Sequence, residues 1–186
     1  MHNKEASIQA ASHTLKRIML ASKNVKLSNG ETLLEHSLWS AHQALTEGCA
    51  GELIVAALFH DIGHYLCTGD PEMTSYEKDC HHADMGAQWL SRWFPLSVCS
   101  PIQLHVDAKR YLIATDENYI EKLNPGSLSS LDSQGGGMTS EEILEFQNKP
   151  YHNDALSIRR FDDTPYNGEP VNAYSRYEKI IMTIMR

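Results

Sequence analysis

The sequence predicts an all-α domain, and three observations support this prediction. Apolar residues recur at the three- and four-residue spacing of a helix face in most of the chain. No segment alternates apolar and polar residues as a half-buried strand would, and turn signals such as Asn29-Gly30 separate the helical segments. The chain has 186 residues, of which 41% are hydrophobic and 22% are charged. This size and composition are typical of one compact domain, so we expect a single domain over residues 1–186.

Three helices are predicted in the first part of the chain. The first covers Ser7–Lys23 and the second covers Glu31–Glu47, each with an apolar stripe on one face. The third covers Glu52–Leu66, "ELIVAALFHDIGHYL", and is apolar almost all round, as expected of a buried central helix. The polar, turn-rich stretch Cys67–Asp79 that follows predicts a loop.

Five further helices are predicted in the rest of the chain, at His81–Phe94, Ser97–Ala114, Thr139–Asn148, Asn153–Phe161 and Val171–Met185. The letters "TSEE" from Thr139 fit a capping box, in which a threonine and a glutamate three residues later close the start of a helix. The segment Asp116–Gly137 contains Pro125-Gly126 and three consecutive glycines, so we expect it to be irregular.

Composition excludes several classes of function. The net charge of −8 argues against nucleic acid as the main partner, because phosphate backbones are bound by a surplus of Lys and Arg. No apolar run approaches the roughly 18 residues that a membrane span needs. The four cysteines form no CxxC pair and the N-terminus shows no secretory pattern, so we expect reduced thiols and a cytoplasmic location. The ten histidines are the unusual feature of the composition.

The segment "ALFHDIGHYL" carries three polar side chains in a run otherwise suited to a hydrophobic core. His60 and His64 lie one turn apart on one helix face, and Asp61 is rotated from His60 by about 100°. A buried polar group that is left unpaired costs about 1–3 kcal/mol. These side chains therefore need partners, and a neighbouring helix has to supply them.

Four more potential metal ligands stand among apolar residues elsewhere in the chain: His36, His82, His105 and Asp162. Any one of these histidines, taken alone, also fits a core residue that is bonded to a backbone carbonyl. Together, histidines and aspartates from different helices predict a metal site inside a helical bundle. Imidazole and carboxylate ligands suit Fe, Mn, Zn or Ni, so the ligand types leave the metal open.

His36, the pair His60-Asp61 and Asp162 resemble the H…HD…D pattern of the HD-domain superfamily, whose members are all-helical and mostly metal-dependent phosphohydrolases. The match is nearer to its mixed-valence di-iron oxygenases, which include enzymes that cleave the carbon–phosphorus bond of 1-hydroxyphosphonates. The motifs that carry this resemblance are "LEHSL", "AALFHDIGHY", "HVDAKRYL", "QGG" and "IRRFDD", in a core at about residues 31–163. The resemblance implies an HD-domain helical bundle around a dinuclear metal site.

The resemblance also implies a ligand set for two iron ions in the Fe(II)/Fe(III) state. Asp61 would bridge the ions, one site being completed by His36, His60 and Asp162 and the other by His82 and His105. His81 competes with His82 for its role. We prefer His82 because it lies four residues before Gly86, as the histidine of the family lies before its glycine.

A small phosphonate substrate and O2 are the partners that the resemblance implies. The residues that would bind the phosphonate are His64, Lys109, Ser127, Gln134 and Arg159. Lys109 follows His105 by four residues and Arg159 precedes Asp162 by three, so each cation shares a helix face with a ligand. The alternatives are that Lys109 and Arg159 are solvated surface charges, and that His64 contacts a metal ligand instead of the substrate.

The loop before the first ligand bears on the choice of substrate. In the related oxygenase that acts on 2-amino-1-hydroxyethylphosphonate, a Tyr and a Glu occupy positions that match Lys26 and Asn29 by ungapped counting from His36. Neither residue can replace an iron-binding phenolate or an ammonium-binding carboxylate, although a two-residue shift would bring Glu31 to the second position. We therefore expect 1-hydroxy-2-(trimethylamino)ethylphosphonate, cleaved to glycine betaine and phosphate, with the primary amine as the alternative. Candidates to hold the trimethylammonium group are Trp39, Asp107, Tyr111 and Asp132.

Two other classes of function remain open from the sequence. A phosphohydrolase of the same superfamily would use the metals to activate water instead of O2. A non-enzymatic interaction module would carry a structural metal site, although such sites usually close every coordination position.

Overall fold

The computed structural model describes residues 2–27, 30–68, 75–123 and 125–186. No β-strand forms within these ranges, where Lys26 and Thr32 make one isolated antiparallel bridge. The all-α prediction is therefore confirmed. In the same ranges, no helix combines the length and the apolar character that crossing a bilayer requires.

The α-helices of the described residues are α1 (His2–Ala21), α2 (Leu33–Thr46), α3 (Gly51–Phe59), α4 (Ile62–Cys67), α5 (Ser75–Leu90), α6 (Leu96–Thr115), α7 (Pro125–Ser129), α8 (Ser140–Asn148), α9 (His152–Asp162) and α10 (Glu178–Ile184). Short 3-10 turns cover Ser22–Asn24, Ile120–Lys122 and Tyr174–Arg176.

Two helices begin with capping boxes. At the start of α8, the Glu142 amide donates to Thr139 Oγ1 over 3.3 Å and the Thr139 amide donates to Glu142 Oε2 over 2.8 Å, as "TSEE" predicts. Thr32 and Glu35 make the same pair of bonds at the start of α2, over 3.1 and 2.9 Å. A side-chain cap of this kind stabilises a helix by about 1 kcal/mol. The cap at Thr32 fixes where α2 begins, one turn before the candidate ligand His36.

The predicted single helix over Glu52–Leu66 is wrong, because the chain breaks between α3 and α4. The break lies at His60 and Asp61, and Asp61 has φ −100° and ψ 8°, outside regular helical values. Nothing in this apolar segment signals a helix end, since Gly and Pro are absent from the break itself. The buried contacts of the Asp61 carboxylate, which come from other helices, account for the turn.

Other helix boundaries also differ from the prediction. Helix α1 covers His2–Ala21 instead of Ser7–Lys23, and the segment Asp116–Gly137, which was expected to be irregular, contains α7. Helix α5 covers Ser75–Leu90 instead of His81–Phe94, so part of the predicted loop Cys67–Asp79 is helical, while residues 69–74 lie outside the described residues. Its first turns are polar and have no apolar period from which a helix could be inferred. The last helix is shorter than predicted, because a 3-10 turn at Tyr174–Arg176 precedes α10.

The core is built around α3, as its apolar sequence predicts. Every residue from Ile54 to Phe59 is buried, and α3 packs against α2, α6, α9 and α10. Helix α6 also packs against α5 and α9. The candidate ligands therefore come from helices that pack around one central element.

Gly63 allows α4 to approach the backbone of α5 closely. A Cβ atom at this position would lie 1.8 Å from the His82 carbonyl oxygen, a distance that no side chain tolerates. Gly86, on the opposite side of the same contact, is less restricted, because its Cβ would lie 3.3 Å from the nearest atom, the Gly63 amide nitrogen. The approach at Gly63 sets the position of His82 relative to Asp61.

We expect Gly63→Ala to lower the free energy of unfolding by about 3 kcal/mol, because α4 and α5 must separate to make room for the methyl group. Gly86→Ala is the matched control and is expected to stay within about 1 kcal/mol of the wild type. Urea unfolding followed by circular dichroism measures both. Equal stability of the two variants would contradict this account of the helix contact.

Candidate metal centre and anion site

Six buried side chains from five helical segments meet at one point of the bundle. They are His36 on α2, His60 and Asp61 at the break between α3 and α4, His82 on α5, His105 on α6 and Asp162 at the end of α9. Buried histidines and aspartates are unusual unless they are paired or bind a metal. All six are residues that the sequence singles out.

The Asp61 carboxylate lies between two pairs of imidazoles. Its Oδ2 atom is 3.6 Å from His36 Nε2 and 3.5 Å from His60 Nε2. Its Oδ1 atom is 3.4 Å from His82 Nε2 and 3.5 Å from His105 Nε2. Each carboxylate oxygen thus faces its own pair of nitrogen atoms, which is the arrangement of a bridging ligand between two ions.

Backbone carbonyls fix the orientation of two of these rings. His60 Nδ1 lies 2.8 Å from the Ala57 oxygen, and His105 Nδ1 lies 2.7 Å from the Ile102 oxygen. In a neutral imidazole, the Nδ1 proton then donates to the carbonyl and the Nε2 lone pair faces the cluster. Such a tautomer is the one that ligates a metal through Nε2.

The nitrogen atoms of each pair lie within hydrogen-bond distance of one another. His36 Nε2 and His60 Nε2 are 3.3 Å apart, and His82 Nε2 and His105 Nε2 are 3.1 Å apart. The potential ligand atoms of His36, His60 and Asp61 all lie within 4.8 Å of one another, as do those of Asp61, His82 and His105. Two groups of three ligand atoms that share Asp61 fit a dinuclear metal site.

Asp162 joins the first of the two groups. Its Oδ1 atom lies 3.0 Å from His36 Nε2, and its Oδ2 atom lies 3.7 Å from His60 Nε2. Arg159 Nη1 approaches Asp162 Oδ2 to 2.5 Å, which leaves Oδ1 directed at the cluster. The guanidinium therefore orients a potential metal ligand.

Burial favours the neutral form of the His105 and His64 imidazoles. It lowers the pKa of His105 to about 4, although the Asp61 carboxylate raises it. Burial and the neighbouring imidazole of His82 lower the pKa of His64 to about 3. Neutral imidazole is the form that binds a metal, so protons do not compete at these positions near neutral pH.

His36 behaves differently because it faces carboxylates. Burial lowers its pKa, but the carboxylates of Asp162 and Glu31 outweigh this effect and raise the pKa to about 10. A positive charge is therefore stabilised at this point of the cluster. A metal cation would replace the His36 proton, so its binding would release that proton.

The two neighbouring histidines about which the sequence leaves a choice have different surroundings. His82 is buried in the cluster, whereas His81 is exposed. His64 stacks on His82 with ring centroids 4.0 Å apart, and its Nε2 atom is 3.9 Å from Asp61 Oδ1. It therefore lies beside the cluster, in contact with His82.

Two buried cations lie next to the ligands. Lys109 is 2% exposed and Arg159 is 3% exposed, so neither is the solvated surface charge that was the alternative. Lys109 Nζ donates to the Ser127 carbonyl oxygen and to Ser130 Oγ, each over 3.0 Å. Burial lowers the pKa of Lys109 to about 8. The ammonium group is therefore mostly protonated at neutral pH and is suited to binding an anion.

A buried network that the sequence analysis missed surrounds Ser127. Arg159 Nη2 donates to Ser127 Oγ over 2.7 Å, and Arg159 also pairs with Asp163. Asp163 accepts a further hydrogen bond from the Tyr119 hydroxyl. The second aspartate of "IRRFDD" was the one available signal for this network, and nothing in the sequence indicated Tyr119.

Gln134 lies on the turn that follows α7, and the side chain of Arg110 holds that turn. The backbone amide of Gln134 donates to the Ser130 carbonyl over 3.1 Å. Arg110 Nε donates to the Gly136 carbonyl over 3.1 Å, and Arg110 Nη2 lies 2.7 Å from Glu142 Oε1. Lys109 and Arg110, adjacent on α6, thus hold the segments that carry Ser127 and Gln134.

The residues considered for the trimethylammonium group have other contacts. Asp107 pairs with Lys149 over 2.9 Å, and Asp132 is exposed. The Tyr111 hydroxyl accepts from Gln147 over 3.0 Å, and the Trp39 indole donates to the Thr164 carbonyl over 2.7 Å. Lys26 Nζ donates to the Gly30 carbonyl over 3.1 Å, while Asn29 lies outside the described residues.

Residues 33–177 match the HD domain family, and the chain belongs to that family. It is 44% identical over 133 residues to the hydroxymethylphosphonate dioxygenase of Gimesia maris. This match covers 71% of this chain and 66% of that protein. It is 39% identical over 134 residues to the glycine-betaine-forming 1-hydroxy-2-(trimethylamino)ethylphosphonate dioxygenase of Leisingera caerulea. This match covers 71% of this chain and 67% of that protein. An uncharacterised protein of Acanthamoeba polyphaga mimivirus is 31% identical over 139 residues, covering 74% and 64%.

These comparisons confirm the resemblance that the sequence motifs indicate, both to HD-domain proteins and to relatives named as phosphonate dioxygenases. The matched part of the chain spans about two thirds of the length of each relative. All six residues of the cluster lie within the segment that matches the HD domain.

We expect His82→Ala to lower the metal content of the protein from about two ions per chain to about one, because it removes a ligand atom from one side of Asp61. His81→Ala is the matched control, since this neighbouring histidine is exposed, and it should keep both ions. Elemental analysis after anaerobic loading with Fe(II) and desalting measures the difference. A loss of iron in His81→Ala with none in His82→Ala would reverse the assignment.

Proposed function

We propose that this protein is a dinuclear non-haem iron dioxygenase that uses O2 to cleave the carbon–phosphorus bond of a small 1-hydroxyphosphonate. The observation that carries the proposal is the Asp61 carboxylate between two pairs of imidazoles, next to the buried Lys109. The names of two relatives support the reaction class. The products would be a carboxylic acid and inorganic phosphate.

Iron is the metal that we propose for this site, in the Fe(II)/Fe(III) state. The residues that would hold it are His36, His60, Asp61, His82, His105 and Asp162. Their imidazole and carboxylate groups suit iron as well as zinc, but zinc has no redox chemistry and cannot support a dioxygenase. When bound, the iron pair would supply the activation of O2 and the electron transfer that the reaction requires.

The buried cations would bind the phosphonate group. Within the described residues, Lys109 donates two of its three N–H groups, to Ser127 and Ser130, and we assign the third to a phosphonate oxygen. Gln134, Arg159 and His64 would complete the site. Fixing the phosphonate in this way would orient C1 toward the metals, and orientation of this kind is a large part of enzymatic rate enhancement.

The net reaction balances without an external reductant. The carbon–phosphorus bond breaks, C1 is oxidised to the level of a carboxylic acid, and O2 is the oxidant. In net terms, one oxygen atom of O2 is added to C1 and the other to phosphorus. Hydroxymethylphosphonate would thus give formate and phosphate, and the trimethylated substrate would give glycine betaine and phosphate.

We propose hydroxymethylphosphonate as the first candidate substrate and the trimethylated compound, which the sequence analysis favours, as the second. The first has no cationic group, which agrees with Lys26 on the loop that leads into α2. The polar groups of Asp107, Tyr111 and Trp39 instead bond to Lys149, Gln147 and the Thr164 carbonyl. The relatives named for the two substrates are 44% and 39% identical to this chain.

We expect the iron-loaded, partly reduced protein to consume O2 and to release phosphate in equal amounts with hydroxymethylphosphonate, at a kcat/KM at least about tenfold above that for the trimethylated compound. An oxygen electrode and a phosphate assay measure the two quantities, with His82→Ala as the inactive control. A preference for the trimethylated or the aminoethyl compound would support the proposed reaction but would overturn hydroxymethylphosphonate as the first candidate substrate. Hydrolysis of phosphomonoesters without O2 uptake would identify a phosphohydrolase.

The pKa of Lys109 predicts how the binding of the phosphonate depends on pH. This pKa is lowered to about 8 by burial, so the ammonium group loses its proton as the pH rises through this value. We expect KM for the phosphonate to rise above about pH 8, because an anion is bound less well by a neutral amine. In Lys109→Arg the guanidinium stays charged, so the rise should be absent. Steady-state assays from pH 6 to about 10 compare the two, and ionisation of the substrate affects both equally. A parallel rise in the variant would contradict the role of Lys109.

A further inference from the structure

We propose that Asp163, together with Tyr119, is a positioning residue that holds Arg159 and Ser127 in the arrangement that binds the substrate anion, a role that rests on the phosphonate site proposed above. Neither Asp163 nor Tyr119 belongs to the ligand cluster. Both are buried, with exposed fractions of 7% and 4%.

The Asp163 carboxylate is saturated by hydrogen bonds from the chain itself. Oδ2 accepts from the Tyr119 hydroxyl and, over 2.7 Å, from Arg159 Nε. Oδ1 accepts from Arg159 Nη2 and, over 3.2 Å, from Ser127 Oγ. A carboxylate has about four lone-pair positions, and these donors occupy them. Asp163 is therefore arranged to hold other side chains and not to bind substrate or metal itself.

These bonds fix the orientation of the Arg159 guanidinium. Two of its five N–H groups donate to Asp163, one donates to Ser127 and one donates to Asp162. We assign the second N–H group of Nη1 to the ligand. Asp163 sets the direction in which this group points, because it holds the planar guanidinium through two charge-assisted bonds.

The same network holds the segment that carries Ser127. Ser127 Oγ accepts from Arg159 and donates to Asp163, while its carbonyl oxygen accepts from Lys109. Tyr119 lies on the connection between α6 and α7, so its bond to Asp163 ties this connection to α9. Burial raises the pKa of Tyr119, so its hydroxyl stays a donor at neutral pH. Asp163 thus links both sides of the anion site.

A competing role for Asp163 makes the opposite prediction. If its carboxylate mainly neutralised the charge of Arg159, its removal would free the guanidinium and tighten the binding of an anion. If it positions Arg159 and Ser127, its removal weakens anion binding even though a negative charge is lost. The sign of the change therefore separates the two roles.

The experiment uses the iron-loaded protein, and inorganic phosphate is the probe. Asp163→Asn keeps the size of the side chain but turns an N–H donor toward the Arg159 donors, and Tyr119→Phe removes one hydroxyl group. Tyr174→Phe is the matched control, because the buried Tyr174 hydroxyl has no hydrogen-bond partner in the described part of the chain. Anaerobic calorimetry gives Kd for phosphate, and assays with hydroxymethylphosphonate give KM and kcat.

We expect Asp163→Asn to raise both Kd and KM by about 10- to 100-fold, with kcat within about threefold of the wild type and the iron content unchanged. Tyr119→Phe should raise both by about 3- to 10-fold, and Tyr174→Phe by less than about twofold. Unchanged or tighter binding in Asp163→Asn, with an active wild type, would overturn the positioning role and leave the proposed function intact. A wild type that neither binds phosphate nor turns over the phosphonate would overturn both.

Discussion

The position of the Asp61 carboxylate between two pairs of imidazoles is the constraint on which the rest of the structure depends. A buried carboxylate needs partners on both oxygens, and His60 and His82 lie on opposite sides of it. The chain leaves helical geometry at Asp61, and Gly63 then lets α4 approach the α5 backbone at His82. The broken helix and the glycine contact thus both serve the same carboxylate.

Charge compensation connects this cluster to the buried network around Ser127. Arg159 pairs with Asp162 on one side and with Asp163 on the other, so one guanidinium contacts both a potential metal ligand and the network around Ser127. Buried ions are stable only when they are paired with good geometry, and removal of one partner leaves an uncompensated charge. Arg159 therefore links the orientation of Asp162 to the hydrogen-bond network around Ser127.

Local patterns predicted most helices because a core-facing helix repeats its apolar residues every three or four positions. The apolar run predicted the buried helix at Gly51–Phe59, and the letters "TSEE" predicted the capping box at Thr139. The break at Asp61 could not be predicted, because no glycine or proline marks it and its cause lies on other helices. The first turns of α5 were missed for another reason, since a polar segment has no apolar period.

The sequence by itself determined the residue types of the candidate site, the all-α class and the family, because ligand identity and helical period are local properties of the chain. The tertiary structure showed that His82, which the spacing to Gly86 favoured, is buried and that His81 is exposed. It alone brought Tyr119 to Asp163 across 44 positions of the chain. These relations depend on how one helix is rotated against its neighbours. That rotation is set by packing between segments distant in sequence, so no local pattern records it.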